Sequence, residues 1–219
     1  MRVAIIEGDG IGHEVIPPAR EAIHIIRPDI EFFEVEAGFD RWQRSGEAIT
    51  EDDIALLATA DSILFGAVTT PPSRDYRSVI VRIRKELDLY ANVRPVWGEG
   101  FDIIVVRENT EGLYSGLEKI EHDSACTLRC ITRKGSERIA RYACTLARRR
   151  RDITIGHKAN ILKSDVFFRD ICLEEARKAA IPVKERFIDA LCLDVLQHPD
   201  RYDVIVTTNM FGDILSDVT

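Results

Sequence analysis

The sequence predicts an α/β protein with layered, mainly parallel sheets, and two observations favour this class. Short apolar runs at residues 3–6, 31–35 and 62–65 have the length and composition of strands. Segments with helical signals separate them: one spans residues 15–26, and in the other Thr50 and Asp53 form a capping signature for a helix over residues 50–58. Such alternation is typical of a parallel sheet with helices packed on it.

The second half of the chain also alternates predicted strands and helices, but its sequence pattern differs from that of the first half. Strands are predicted at residues 91–96, 102–107, 125–133, 153–155, 183–187 and 204–207, and helices at 137–150 and 165–180. The change near residue 90 predicts two lobes, residues 1–95 and 96–219. The basic run at 148–151 is predicted to lie in the last turn of its helix, where exposed carbonyl groups favour cations.

Composition restricts the classes of function. The 219 residues are 45% hydrophobic and 31% charged, which is ordinary for a globular protein. A net charge of -7 argues against a general nucleic-acid binder, and no apolar run approaches the ~20 residues that span a membrane. The five cysteines include no CxxC pair, although Cys126 and Cys130 would share a face of the predicted strand. We therefore expect reduced, mostly buried thiols in a cytoplasmic protein, with no nucleic-acid or membrane partner.

A glycine-rich segment, EGDGIGHE, follows the first strand. Its glycines lie at positions 8, 10 and 12, whereas the dinucleotide-binding fingerprint GxGxxG needs the third at position 13, where this chain has His13. The spacing therefore does not predict a conventional Rossmann site.

Two carboxylates follow the last predicted strand. Asp213 and Asp217 are four residues apart, so they share one face if the segment is helical. A solvated acidic face is the simpler interpretation. Their position after an apolar strand favours a ligand site, because open α/β sheets bind ligands at the carboxyl ends of their strands. Carboxylate oxygens suit Mg²⁺ or Mn²⁺.

Three arginines form the second candidate group. Arg84 and Arg94 flank the segment KELDLYANV, and Arg107 opens RENTEGLYSG after a predicted strand. Guanidinium groups bind carboxylates in planar, bidentate geometry, so three of them beside a metal suit a di- or tricarboxylate substrate. Taken singly, each arginine is more typical of a protein surface.

Taken together, these segments resemble the β-decarboxylating dehydrogenase family, which contains the 3-isopropylmalate, isocitrate, homoisocitrate and tartrate/malate dehydrogenases. The matching pieces are EGDGIGHEV, IRKELDLYANVRP, VRENTEGLYSGLE, HKANILK, FIDA and NMFGDILSD, in the family's order along essentially the whole chain. The resemblance implies an isopropylmalate dehydrogenase-like two-lobed α/β fold with layered sheets rather than a Rossmann fold.

The resemblance also implies roles in the chemistry. Arg84, Arg94 and Arg107 would bind the malate carboxylates. Tyr114 would protonate the product carbon. Lys158 would act in the active site of the partner subunit, where it would assist removal of the hydroxyl proton. The reaction implied is the metal-dependent oxidative decarboxylation of a 3-substituted malate.

Metal and cofactor residues follow from the same matches. Asp189, Asp213 and Asp217 would hold Mg²⁺ or Mn²⁺, with Asp189 donated across a homodimer whose active site is shared between subunits. Thr70 and Asn160 would lie near the nicotinamide of NAD or NADP. The sequence does not choose between these two cofactors.

The substrate's variable group is expected to be bound just before Arg84, by Ser78, Ile80 and Val81. Ser78 resembles isocitrate-type enzymes, in which a hydroxyl meets a further carboxylate, whereas Ile80 and Val81 suit an apolar isopropyl group. We expect 3-isopropylmalate, with isocitrate or homoisocitrate as alternatives.

Compared with the family, the chain is expected to be truncated at its C-terminus, with the first lobe incomplete. Two interpretations follow. The chain is part of a true enzyme, or it is a non-catalytic dimerising or regulatory subunit. Its retained motif residues favour the first. Little or no turnover is expected of this chain alone, so the catalytic residues would describe the whole enzyme.

Overall fold

The structure, a computed structural model, describes residues 1–72 and 76–219. The chain divides into two compact units, Met1–Asp88 (unit 1) and Leu89–Thr219 (unit 2). Across the described residues, no helix has both the length and the apolar character needed to cross a bilayer.

Unit 1 is built on a three-stranded parallel sheet in the order β2-β1-β3. Its elements are β1 (Arg2–Ile6), α1 (Gly12–Ile26), β2 (Glu31–Glu34), α2 (Phe39–Ser45), α3 (Glu51–Leu57), β3 (Ser62–Phe65) and α4 (Val79–Glu86). The predicted cap of α3 is confirmed, because Thr50 Oγ1 accepts from Asp53 N at 3.1 Å and Asp53 Oδ2 accepts from Thr50 N at 2.9 Å. The helices α2 and α4 were not predicted from the sequence.

Unit 2 contains a five-stranded sheet in the order β4-β5-β10-β8-β9, in which only the β4–β5 pair is antiparallel. Its elements are β4 (Ala91–Gly98), β5 (Phe101–Glu108), β6 (Glu118–Ile120), β7 (Ala125–Thr127), α5 (Arg133–Ala147), β8 (Ile153–His157), α6 (Lys163–Ala179), β9 (Val183–Phe187), α7 (Ile188–Gln197), β10 (Val204–Thr207) and α8 (Asn209–Val218). The predicted lobe boundary at residue 95 falls inside β4. Because β4 pairs along its whole length with β5, the division lies earlier than predicted.

Helices cover both faces of the unit 2 sheet. Val106 packs in a buried cluster with residues of α5 and α6, whereas its neighbour Val105 packs with residues of α7 and α8. Successive side chains of a strand point to opposite faces, so a continuous apolar run is what a sheet buried on both sides requires. The layered α/β architecture is therefore confirmed.

One predicted strand, 125–133, is largely wrong. β7 ends at Thr127 and pairs only with β6, and α5 begins at Arg133 rather than at residue 137. Thr132 causes the difference, because its hydroxyl accepts from Gly135 N at 3.0 Å and caps the helix. Cys126 and Cys130 therefore do not share a strand.

The cysteine and basic-run predictions also change. Of the five thiols, Cys144 and Cys172 are buried and Cys126 is exposed, so the set is not mostly buried. The basic residues at 148–151 follow the end of α5 instead of occupying its last turn. Two of them, Arg150 and Arg151, pair with aspartates of the sheet.

Candidate functional site

The carboxyl ends of β5, β8, β9 and β10 lie along one edge of the unit 2 sheet, because these strands are parallel to one another. We call this the carboxyl edge. It is where open α/β sheets bind ligands. The segments that leave it carry most of the predicted site residues, namely Arg107, Tyr114, Lys158, Asn160, Asp189, Asp213 and Asp217.

Arg107 is buried at this edge, with 3% of its surface exposed. Its Nε and Nη2 donate to Asn209 Oδ1 at 3.0 and 2.8 Å, and its Nη1 contacts Asp213 Oδ1. The start of α8 fits closely over the arginine, since a Cβ at Gly212 would lie 2.6 Å from Arg107 Cβ. The glycine thus permits the close contact between α8 and Arg107. Asn209 was not among the site residues predicted from the sequence.

Tyr114 completes the same cluster. Its hydroxyl donates to Asp213 Oδ2 at 2.6 Å, and the guanidinium carbon of Arg107 lies 5.4 Å from the centre of its ring. The two oxygens of Asp213 therefore bind different partners, a cation and a phenol. The tyrosine is 43% exposed, so its proton-bearing oxygen belongs to a solvent-accessible site.

Arg94 lies on the neighbouring strand. Asn92 is directly opposite Arg107 in the β4–β5 ladder, and Arg94 is two residues further along β4. Because residues two apart share a face, Arg94 and Arg107 lie on the same face of the sheet. Arg94 is exposed, and its Nε donates to Asn92 Oδ1 at 2.9 Å.

Lys158 and Asp189 form a second pair at the carboxyl edge. Lys158 Nζ donates to Asp189 Oδ1 at 2.5 Å, and this hydrogen bond lowers the pKa of the exposed Asp189 carboxyl. Asn160 and Asp217 are both exposed. Within one chain, the described residues contain no group of three or more His, Cys, Asp or Glu side chains placed to hold a metal ion.

Two residues that contact the Lys158 turn were not predicted. Asp165 is fully buried, and its Oδ2 accepts from the backbone N–H of Lys158 at 2.6 Å. The half-buried Arg129 has its Nη1 2.6 Å from Asp165 Oδ1. Asp165 lies two residues after the HKANILK motif, but its partner lies in a different segment, so only the folded chain reveals the pair.

In unit 1, Thr70 lies in an exposed segment after β3. The neighbouring Thr69 N donates at 2.7 Å to Asp9, a buried carboxylate in the glycine-rich segment that also accepts from two backbone N–H groups at the start of α2. Gly8 has a φ of +81°, and a Cβ there would lie 1.9 Å from Ala67 O. The glycine therefore allows the two loops to pack against each other.

The other predicted residues of unit 1 belong to α4. Ser78 is the residue before the helix, and Arg84 lies in its last turn. Ile80 and Val81 are four and three residues before Arg84, so these three side chains share one side of the helix. Arg84 and Ile80 are half-buried, and Val81 is 39% exposed.

Comparison with known proteins supports one family. The family description "Isocitrate/isopropylmalate dehydrogenase" matches residues 2–219. The chain is 46% identical to an isocitrate/homoisocitrate dehydrogenase of Pyrococcus horikoshii and 42% identical to a 3-isopropylmalate dehydrogenase of Archaeoglobus fulgidus, each over 99% of this chain. The crystal structure of isocitrate dehydrogenase from Methylococcus capsulatus superposes with a TM-score of 0.93 at 39% identity, covering 99% of this chain and 69% of that one.

The coverage of the relatives is partial. The chain spans 64% of the length of the Pyrococcus protein and 69% of the Archaeoglobus protein. The similarity therefore concerns about two thirds of each of these proteins, and it includes every motif on which the sequence-based resemblance depends.

Proposed function

The chain belongs to the isocitrate/isopropylmalate dehydrogenase family, and on that premise we propose that it oxidises and decarboxylates a 3-substituted malate with NAD(P). The observation that carries the proposal is the cluster of Arg107, Tyr114 and Asp213 at the carboxyl edge. It combines a carboxylate-binding cation, a proton donor and a metal-binding oxygen, which are the groups this reaction needs.

Substrate binding is assigned to the arginines. Arg94 and Arg107 lie on one face of the sheet. The exposed Arg94 can bind a carboxylate in bidentate geometry, and Arg107, which also pairs with Asn209 and Asp213, is proposed to bind one through its remaining Nη–H groups. Arg84 of α4, in unit 1, is proposed as a further carboxylate-binding residue, and Ser78 is proposed to bind the substrate's variable group. A dicarboxylate or tricarboxylate matches this excess of cations.

Asp213 and Asp217 fit a divalent metal ion. They lie four residues apart on α8, on one side of the helix, and Mg²⁺ or Mn²⁺ is commonly held by one or two carboxylates, with substrate and water as further ligands. A bound ion supplies Lewis-acid polarisation of the substrate's oxygens. Asp189, which pairs with Lys158 within the chain, is proposed as a ligand for the metal of a second copy.

The proton transfers are assigned to two side chains. Lys158 is proposed to accept the proton of the substrate's 2-hydroxyl group, and a bound nicotinamide would supply the acceptor for the hydride of C2. After loss of CO₂, Tyr114 would deliver its hydroxyl proton to C3. The exposed Thr70 and Asn160 are proposed to contact the nicotinamide end of the cofactor.

A homodimer is proposed because unit 2 exposes apolar side chains on two adjacent helices. Leu193 and Leu196 of α7 are 58% and 60% exposed, and Ile214 of α8 is 51% exposed. Exposed apolar groups of this size on neighbouring helices are typical of protein–protein contacts. Dimerisation through these helices would bring Asp189 and Lys158 to the partner's site.

The comparisons shift the preferred substrate away from the sequence-based choice of 3-isopropylmalate. The Pyrococcus protein named for isocitrate and homoisocitrate is the more similar of the two relatives, at 46% against 42% identity. Ser78 at the start of α4 is consistent with a further carboxylate. The apolar pair Ile80 and Val81 supports 3-isopropylmalate as the second candidate.

Comparison of kcat/KM tests the proposal. Isocitrate, homoisocitrate and 3-isopropylmalate would each be supplied with Mn²⁺ and with NAD⁺ or NADP⁺, and nicotinamide reduction would be followed. Turnover by this chain alone is expected to be slow, but it should depend on Mn²⁺ and show the highest kcat/KM for isocitrate or homoisocitrate. Binding of all three substrates without nicotinamide reduction would instead indicate a non-catalytic subunit.

A further inference from the structure

We propose that the ion pair of Arg129 with the buried Asp165 is a positioning element that holds Lys158 and the start of α8 in a fixed arrangement. The inference rests on the proposed function, in which Lys158 accepts a proton and α8 carries the metal-binding Asp213. Neither Arg129 nor Asp165 is proposed to touch the substrate.

Arg129 contacts two separate segments of unit 2, the start of α6 and the start of α8. Its Nη1 lies 2.6 Å from Asp165 Oδ1 and donates to Ser164 Oγ at 2.7 Å, and its Nη2 donates to Thr208 Oγ1 at 2.9 Å. Its guanidinium carbon lies 5.2 Å from the centre of the Phe211 ring. Because Nη1 is directed at the Ser164 hydroxyl, the contact with Asp165 is an ion pair rather than an aligned hydrogen bond.

Asp165 connects Arg129 to the backbone of Lys158. The carboxylate is fully buried, and its second oxygen, Oδ2, accepts from Lys158 N at 2.6 Å. The carbonyl of Lys158 in turn accepts from Ile161 N at 3.0 Å and Leu162 N at 2.9 Å, which closes the turn between β8 and α6. Both polar groups of the Lys158 backbone are therefore fixed, and the side chain leaves a rigid turn.

The other end of Arg129 fixes α8. Thr208 is the N-cap residue of this helix, and its hydroxyl makes no capping hydrogen bond but accepts from Arg129. The helix then presents Asn209 and Asp213 to Arg107. One guanidinium group thus joins the turn that carries the proposed base to the helix that carries the proposed metal ligand.

A planar, always-charged guanidinium suits this task, because its fork of donors reaches several acceptors at fixed angles. Lysine would supply the charge without the fork. A buried carboxylate needs a cation close by, so the pair cannot separate in the folded chain without leaving an uncompensated charge.

The test measures the reactivity of Lys158 directly, in the 219-residue chain. Trace acetylation with acetic anhydride would be read by mass spectrometry as the rate at Lys158 relative to Lys119, whose side chain is 75% exposed. Asp165→Asn and Arg129→Met would be compared with Asp203→Asn. Asp203 is a matched control, because it is also a buried aspartate that pairs with an arginine, Arg151, but it lies at the opposite end of the same sheet.

We expect Asp165→Asn and Arg129→Met to raise the relative rate at Lys158 roughly fivefold, the equivalent of about 1 kcal/mol, which is the net contribution of one hydrogen bond. Asp203→Asn should leave the rate unchanged. Arg129→Lys should fall between the wild type and Arg129→Met, since it keeps the charge and loses the fork.

An unchanged Lys158 rate in both carboxyl-edge variants would overturn the proposal, as would an equal rise in Asp203→Asn. If Asp165→Asn unfolds, all lysines of unit 2 will react faster together, and Arg129→Lys then decides. An intermediate rate supports positioning, and a wild-type rate overturns it. Absence of turnover in the wild type would count against the proposed function alone, because the labelling measurement does not depend on catalysis.

Discussion

The two ends of the unit 2 sheet use the same residue types in different ways. At the end where β5 and β10 begin, here called the amino edge, Arg150 Nη2 donates to Asp102 Oδ2 at 2.7 Å and Arg151 Nε donates to Asp203 Oδ2 at 2.9 Å. Each arginine there pairs with one aspartate. At the carboxyl edge, Asp213 is shared between a guanidinium and a phenol.

The difference lies in how many segments one charged group joins. Each amino-edge pair attaches the segment after α5 to the start of one strand. Arg129, at the carboxyl edge, joins the start of α6 to the start of α8, and Asp165 links it to the β8–α6 connection. Arginine and aspartate at a sheet edge therefore do not by themselves indicate a site, and the convergence of two segments on one charged group is what distinguishes the carboxyl edge.

The largest expected effect comes from removing one arginine at each edge of the sheet, which tests whether the two edges differ. Arg129→Met leaves the fully buried Asp165 without its cation, so the free energy of unfolding should fall by about 3–5 kcal/mol. Arg151→Met should cost less, because the Arg151 side chain is 64% exposed and water screens its charge. Urea unfolding of the two variants checks this, and equal losses would contradict the distinction between the edges.

A smaller effect is expected from crowding Arg107. In Gly212→Ala the new Cβ would lie 2.6 Å from Arg107 Cβ and 2.7 Å from its Cγ, so either the helix or the arginine must move. Such overpacking typically costs ~1–3 kcal/mol. Ser216→Ala, on the same helix, is the control and should stay within ~0.5 kcal/mol of the wild type. Urea unfolding measures both, and a neutral Gly212→Ala would show that the contact is not tight.

The smallest effect concerns pH. Burial lowers the pKa of His157 from its ordinary value of 6.5, outweighing the nearby Glu185, whose carboxylate lies 3.3 Å away. As the pH falls through 6.5, the unfolded chain takes up a proton that the buried imidazole does not. The folded state therefore loses stability between this value and the lower folded-state pKa.

The free energy of unfolding should be measured across this pH range. We expect its slope against pH to be smaller in His157→Gln than in the wild type, and unchanged in Arg151→Met. The other charged groups that affect the imidazole, Arg169 and Asp165, stay in place in both variants. An identical slope in the wild type and in His157→Gln would contradict the account of the buried imidazole.

Much of the fold could be predicted from the sequence because strands such as β10 are continuous apolar runs, buried on both faces. The predicted and observed bounds agree for β3 and β10, and also for the mostly exposed β9. The region around β7 could not be predicted in the same way, since Ile131 and Thr132 have the composition of a strand. The hydrogen bond from Gly135 N to the Thr132 hydroxyl instead begins a helix there.

The candidate site could be predicted in part, for those residues that belong to a recognisable sequence motif. Arg107, Tyr114 and Asp213 were singled out from three motif positions, and the structure brings them together. Asn209 and Arg129 were not predicted, because their contacts depend on strand pairings between distant segments. Arg107 and Asn209, for example, are 102 residues apart in the chain and meet only when β5 pairs with β10.

The most direct test of the account is Mn²⁺ binding in the presence of homoisocitrate, followed by electron paramagnetic resonance of the free ion. We expect homoisocitrate to raise the Mn²⁺ affinity of the wild-type chain, and Asp213→Asn to lower that affinity by at least about tenfold. The amino-edge variant Asp203→Asn should bind Mn²⁺ as the wild type does. Equal affinities in the wild type and Asp213→Asn would contradict the claim that the carboxyl edge is the substrate and metal site.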